Sequence, residues 1–300
     1  MMLNEVSKKD RKNLNLLAMT PVGIFDLSDG DSNCVLNLDN KYLYKRFVTK
    51  ERMHTEIAGM LLFNLLIKQD MPLLIKSGND AFISEFMPNS RSAYDLINSG
   101  QLSVNEINVK IAAFVSRAYW EYKYFDRSKI KLFTNVSWLA KINQIIEDFE
   151  NSVAKITKLG DGVIASKILG KLESARNDTA INDTKNLTVT HRDLHLDNIL
   201  IGRDKGYNKF YVIDFEHTIE APLEMEFQNS LFWNDEKSLQ VENIVKIMRD
   251  EYRVNYSKER EEKLSVLYIA DQVNMAITLG DNNKVSFILN KYAKRNTNAI

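Results

Sequence analysis

The run His191-Arg192-Asp193-Leu194-His195-Leu196-Asp197-Asn198-Ile199-Leu200 concentrates the residue types that can do chemistry. Asp193 and Asn198 are spaced so that one carboxylate can orient a hydroxyl while the amide helps to hold a divalent cation. A second carboxylate, Asp214, ends the next apolar run, Lys209-Phe210-Tyr211-Val212-Ile213, and opens Asp214-Phe215-Glu216. Together these groups suit phosphoryl transfer from a nucleoside triphosphate, which is mostly positioning and charge neutralisation. A plain polar turn is the alternative, because Asn and Asp favour turns. It accounts for the residue types but not for their order, nor for Asp-Phe at the end of the following strand. Three of the four histidines (His191, His195, His217) also fall here.

Strands must hold such a loop. Leu187-Thr188-Val189-Thr190 before it and Ile199-Leu200-Ile201 after it are β-prone. Upstream, residues 1–18 read as a polar leader with room for a short helix, and residues 23–27, 34–38 and 41–48 read as strands, with Asp39-Asn40 as a tight turn. The turn Ser28 to Asn33, with its single Gly30, is either an ordinary hairpin turn or a set of backbone N–H groups over phosphates. Residues 50–68 read as a helix whose apolar stripe is Ile57, Met60, Leu61 and Leu65, with Glu56 beside it. A second hairpin over residues 71–87 completes a five-stranded sheet, and Pro88 ends it. Thereafter the chain is helical at residues 91–98, 104–124, 138–156, 237–252, 258–278 and 282–294, with a polar loop at 177–186. The aromatic run from Tyr119 to Phe125 reads as core packing or as a substrate surface, and no repeats or low-complexity tracts occur.

Composition narrows the classes. Three hundred residues with 44% hydrophobic and 27% charged side chains suit one large or two-lobed globular domain. A formal net charge of zero gives no general field for nucleic acid or membranes. The lone Cys34 excludes an internal disulfide and a Cys-based zinc site. Leu16-Leu17-Ala18-Met19 is too short for a signal-peptide core or a membrane span, so a cytoplasmic protein is expected.

The sequence HRDLHLDNIL followed by VIDFE resembles the aminoglycoside phosphotransferase and choline kinase superfamily of protein-kinase-like enzymes. Their loop reads approximately H-G-D-L-H-x-x-N-I-L. Arg192 departs from its usual Gly or Asn and looks like the Arg of protein kinases, and Glu216 replaces the Gly of D-F-G. The resemblance implies an α+β, two-lobed fold: a five-stranded antiparallel sheet with one helix, then a larger helical lobe. It divides the chain into a nucleotide-binding lobe (1–87) and a catalytic, acceptor-binding lobe (88–300). It implies Asp193 as the catalytic carboxylate, and Asn198 and Asp214 as holders of Mg²⁺. Lys45 would grip the phosphates of ATP, positioned by Glu56, with Glu51 as the rival. The backbone of Glu85 and Met87, in Ser84-Glu85-Phe86-Met87-Pro88, would read the adenine edge. His191 and His195 would brace the loop.

Ala221-Pro222-Leu223-Glu224 follows Glu216 too closely for a peptide-binding activation segment, so the acceptor is expected to be a small alcohol. Residues 214–242 carry eight carboxylates against one lysine, Lys237. That run is either a set of solvated helix faces or a floor attracting an amino-alcohol, amino sugar or aminoglycoside. Glu216, Glu220, Glu224, Trp233 and Asp271 are the candidates to line the acceptor side. A nucleotide-binding regulator without turnover and an atypical protein kinase remain the competing readings.

Overall fold

The structure, a computed structural model, describes residues 6–19, 24–27, 34–67, 71–126, 137–204 and 207–297. The turn from Ser28 to Asn33 lies outside them. Strands β1 (Ile24–Asp26), β2 (Cys34–Leu38), β3 (Tyr42–Arg46), β4 (Leu74–Ser77) and β5 (Ala81–Glu85) form the expected antiparallel sheet, in the order β1-β2-β3-β5-β4. Asp39 and Asn40 turn β2 into β3 at φ +55° and +53°, a left-handed backbone that short polar side chains tolerate best.

Alternation along β3 decides what each face meets. Tyr44 and Arg46 point to α1 (Lys8–Leu16), where Asp10 accepts from the Tyr44 hydroxyl at 2.8 Å and from the Arg46 guanidinium. Lys45 points to the opposite face and meets α2 (Lys50–Ile67). The sheet is therefore sandwiched: the helix expected with it is α2, and the short helix of the leader, α1, covers its other face. Leu14 and Leu17 pack with Ile24, Leu36, Leu38 and Ile83 beneath α1, while Phe82 joins the core on the α2 side.

Helix α2 buries Met53, Glu56, Met60, Phe63 and Ile67. The expected stripe is thus partly wrong: Leu61 and Leu65 are 37% and 60% exposed. From Ile57 onward the helix is apolar nearly all round, with Asn64 the exception, so periodicity alone did not select its buried face.

The second lobe comprises β6 (Arg91–Ser92), α3 (Ala93–Asn98), α4 (Val104–Tyr124), α5 (Trp138–Lys158) and α6 (Gly162–Arg176), followed by β7 (Leu187–Thr190), β8 (Ile199–Asp204), β9 (Tyr207–Val212) and β10 (Ile219–Pro222). It ends with α7 (Gln228–Trp233), α8 (Val241–Tyr252), α9 (Lys258–Thr278) and α10 (Asn282–Thr297). Neither α6 nor β10 was expected, residues 91–92 pair as a strand, and α8 begins at Val241 instead of residue 237. Of the aromatic run, Trp120 donates to the Tyr252 carbonyl at 2.9 Å and Tyr122 is buried, both packing roles. No described helix is long and apolar enough to cross a membrane.

Two strand registers create the site. β7 pairs β10 with Thr190 opposite Ile219, and β8 pairs β9 with Ile199 opposite Val212. The loop from 191 to 198 and the turn from 213 to 218 leave these paired ends together.

Candidate active site

Lys45 is the hub on the sheet side. Its Nζ donates to Glu56 Oε2 at 2.6 Å and to Asp214 Oδ1 at 2.8 Å, with the ammonium 5.0 Å from the Phe47 ring centroid. Lys45 and Glu56 are buried. Burial works against charge on both, yet Glu56 and Asp214 together hold the lysine pKa above its ordinary value. Burial pushes Glu56 up, and the Lys45 charge pulls it back. Burial pushes Asp214 up, but the Lys45 charge and hydrogen bond, with His217 and His191, together hold it below its ordinary value. Glu51, the rival to Glu56, is exposed. A cavity of about 150 Å³ opens here, lined by Val35, Leu43, Lys45, Ser84, Asp214 and Phe215 among others.

Asp193 is fixed from both sides. Asn198 Nδ2 donates to its backbone carbonyl at 2.9 Å and to its Oδ2 at 3.2 Å, and Asn229 Nδ2 donates to Oδ1. His195 Nε2 stands 3.8 Å from Oδ2. The loop backbone is braced by buried groups: Glu226 Oε2 accepts from the His191 N–H at 2.7 Å. Asp197 instead pairs with Lys237 at 2.7 Å.

Two residues here adopt left-handed backbone, Arg192 at φ +67° and Asp214 at φ +66°. Such conformations cost roughly 1–3 kcal/mol for a non-glycine residue and gather at functional sites. The first sits where the resembling motif has Gly, which adopts this φ without steric penalty. At this chain's position the Arg192 guanidinium reaches Asp271 Oδ2 at 2.6 Å.

Carboxylate oxygens of Glu56, Asp214 and Glu216 lie within 4.8 Å of one another. All-oxygen donors suit a hard cation such as Mg²⁺. Glu56 is buried, whereas Asp214 and Glu216 are partly exposed, so those two are the better-placed pair. Asn198 turns its amide nitrogen, not its oxygen, toward Asp193, which is compatible with an oxygen facing a cation.

The chain aligns over nearly its whole length with solved aminoglycoside phosphotransferases. The gentamicin complex of APH(2")-IIa superposes with TM-score 0.72 at 15% identity, covering 95% of each chain. The GDP and kanamycin complex of APH(2")-IIia gives 0.71 at 14%, covering 96% of this chain and 100% of that one. An apo thermostable mutant of APH(4)-Ia gives 0.67 at 13%, covering 93% and 95%. The fold is that of the aminoglycoside phosphotransferases. No family model matches the sequence, and no curated protein sequence does either.

A second cavity, of about 260 Å³, lies on the other side of Asp193 among the C-terminal helices. Of the five acceptor-side candidates, Trp233 and Asp271 line it. Glu224 does not: it is fully buried and bound by Arg260 at 2.7 and 2.8 Å. Glu216 belongs to the Asp214 side, with Arg52 at 3.7 Å, and Glu220 stands on β10 opposite Val189. Neither is among the cavity's lining residues. Sequence reasoning missed Asn229, Tyr268 and Gln272 on this wall. Each is a single residue on a helix with no neighbouring signature. At the lobe junction, the Glu85 N–H donates to the Leu73 carbonyl at 2.8 Å, and the Met87 carbonyl accepts from Ser90 Oγ at 2.7 Å.

Proposed function

We propose that the protein transfers the γ-phosphate of a nucleoside triphosphate, ATP in this reading, to a hydroxyl of a small molecule. The observation that carries it is Lys45 bridging Glu56 and Asp214 on one side of a fixed Asp193, with a separate cavity on the other. Support comes from the fold, since solved structures sharing it include a streptomycin-ATP ternary complex of APH(2")-IIa. β10 begins at Ile219, soon after Asp214, so no peptide-binding segment intervenes. That favours the small-molecule reading over an atypical protein kinase.

In this mechanism Lys45 grips the phosphates and Glu56 holds Lys45 in place. The adenine edge is read by the two backbone groups not engaged above, the Glu85 carbonyl and the Met87 N–H. Asp214, Glu216 and Asn198 would hold Mg²⁺, which would supply charge neutralisation on the phosphates. Asp193 accepts a hydrogen bond from the acceptor hydroxyl and orients it for in-line attack. Asn198 and Asn229 fix the Asp193 carboxylate, so little reorganisation remains at the moment of transfer.

The test is Asp193→Asn, assayed by ADP release with Mg·ATP and a panel of glucose, glucosamine, choline and kanamycin. Loss of the orienting carboxylate should lower kcat by about 10²–10⁴-fold. Nucleotide affinity, measured by calorimetry, should hold. A variant that keeps wild-type kcat on whichever acceptor is turned over refutes the assignment.

A further inference from the structure

The second cavity has a charge balance of its own. The acidic run 214–242 offered three glutamates to a cationic acceptor, and none of them lines the cavity. The carboxylates that do are Asp193 and Asp271, and they face Arg192 and Lys284 on the same wall. Two anions meet two cations, so the lining has no net formal charge, with His217 and Tyr268 as its other titratable groups. Asp271 is moreover met twice, by Arg192 at 2.6 Å and by Lys141 at 3.5 Å. An acceptor bearing several ammonium groups would lose hydration at each of them and find one carboxylate without a close lysine or arginine, the catalytic one. Burying unpaired charge is heavily unfavourable.

The remaining wall has another character. Trp233 and Tyr268 offer aromatic surface, and Asn229 and Gln272 offer amides. Two buried polar atoms on lining residues lack a hydrogen bond among the described groups. One is Arg192 Nε; the other is the Tyr268 hydroxyl, which lies near Trp233 without a bond of good geometry. Their residues are 7% and 2% exposed. Both atoms are closed off from the cavity space, so the groups left to meet a ligand are the Asn229 and Gln272 amides and the aromatic surface. The volume, about 260 Å³, lies below the roughly 300–1,000 Å³ of most ligand clefts.

We propose that the acceptor is a compact polyhydroxylated ring, a monosaccharide or monoamino sugar carrying at most one positive charge. Its apolar ring face packs on Trp233, its hydroxyls meet Gln272 and Asn229, and Lys284 disfavours polycations. This rests on the phosphotransfer reading and specifies its substrate class.

The experiment compares glucose, glucosamine and kanamycin as acceptors with Mg·ATP, following both ADP and acceptor phosphorylation by mass. It uses the wild type, Lys284→Glu and Trp233→Ala, with Asp214→Ala as the control for nucleotide binding. In the wild type, kcat/KM should favour glucose or glucosamine over kanamycin by about tenfold or more, the worth of one uncompensated charge. Lys284→Glu should shrink that preference by lowering the kanamycin KM, leaving the KM of ATP unchanged. Trp233→Ala should raise the sugar KM without moving that of ATP. Kanamycin preferred by the wild type, with Lys284→Glu indifferent, overturns the inference while phosphotransfer stands. Asp214-dependent ATP binding with neither sugar phosphorylated also overturns it. No Asp214-dependent nucleotide binding and no phosphorylated acceptor defeats the functional reading itself.

Discussion

A neutral imidazole is built into the loop that carries Asp193. The Ile213 carbonyl can only accept, so the 2.9 Å contact requires a proton on His191 Nε2. Nδ1 then accepts from the Asp193 N–H at 3.3 Å. Both ring nitrogens are used in one tautomer, and a second proton would set a donor against a donor. Burial accordingly pushes the His191 pKa down to about 4. The unfolded chain, titrating near 6.5, binds more protons between those values, so stability is lost as pH falls through that window, by up to about 3 kcal/mol. Glu226 acts in the opposite sense. Burial pushes it up to about 7, so its contribution is lost as pH rises through that value. His191→Gln should therefore be less stable than wild type at pH 7, and the gap should close by about 3 kcal/mol toward pH 4. Denaturant unfolding at the two pH values measures it; a gap independent of pH would show that the imidazole is not held neutral. Asp214 and Asp235 provide a second contrast. Asp214 is bound to Lys45, whereas Asp235 is an exposed turn residue that accepts from Ser238. Asp214→Ala should abolish the Mg²⁺-dependent part of ATP binding in calorimetry and Asp235→Ala should not. An equal response would mean that the acidic run acts as a diffuse surface.

The approach of α2 to the Asp214 turn depends on one missing side chain. A Cβ on Gly59 would stand 2.6 Å from Thr218 Oγ1 and 2.7 Å from Phe215 Cβ, closer than packed atoms allow. Gly59→Ala gains about 1 kcal/mol of helix propensity. Overpacking costs typically 1–3 kcal/mol, so the balance is net destabilising. Because the displaced residues flank Asp214, transfer should fall further than the melting temperature suggests, with the KM of ATP raised. A variant with unchanged KM and raised Tm would show that the turn yields freely. This contact was not legible in the sequence, and the reason is general to the fold. The loop from His191 to Asn198 could be read because its chemistry fixes residue types at set spacings. Lys45 and Glu56 could be read because a strand and the helix after it are adjacent. A short helix in the polar leader could be read, but its docking on the sheet could not, because its anchor is Asp10 against Tyr44 and Arg46, a contact between distant residues. β10 exists through its pairing with β7, and its four residues carry no pattern alone. In α6 the buried positions Ala165, Ile168, Leu172 and Ala175 do follow helical spacing, but Gly162 and Gly170 mask it. The acidic run misled for a related reason: whether a glutamate faces a ligand or an arginine, as Glu224 faces Arg260, is decided by tertiary partners.

The two lobes share one core. Phe63 of α2 stacks on Phe114 of α4 with ring centroids 5.5 Å apart, and lies 5.2 Å from Phe215 in the Asp214 turn. Phe114 also packs against Phe210 of β9 at 6.0 Å. Phe47, just after β3, and Phe82 of β5 belong to the same buried cluster as Ile111, Val212 and Ile244. A boundary at residue 87 therefore does not separate two cores. The core that crosses it has a mechanical consequence. Lys45 comes from the sheet and Asp214 from the second lobe, and their 2.8 Å contact holds only while the lobes are packed. Truncating Phe114 removes the ring that touches both. Loss of a buried phenylalanine side chain typically costs about 3–5 kcal/mol. If the lobes fold as one unit, Phe114→Ala should lower the protection of β3 and β9 amides together in hydrogen exchange. Denaturant unfolding should stay a single transition, at lower denaturant. ATP affinity should fall although Phe114 touches none of the nucleotide-side residues named above, because the Lys45–Asp214 geometry loosens. Should β3 keep its protection while β9 loses it, or a second transition appear, the sheet would be a separate folding unit, and its contact with Asp214 would have to be maintained by the nucleotide.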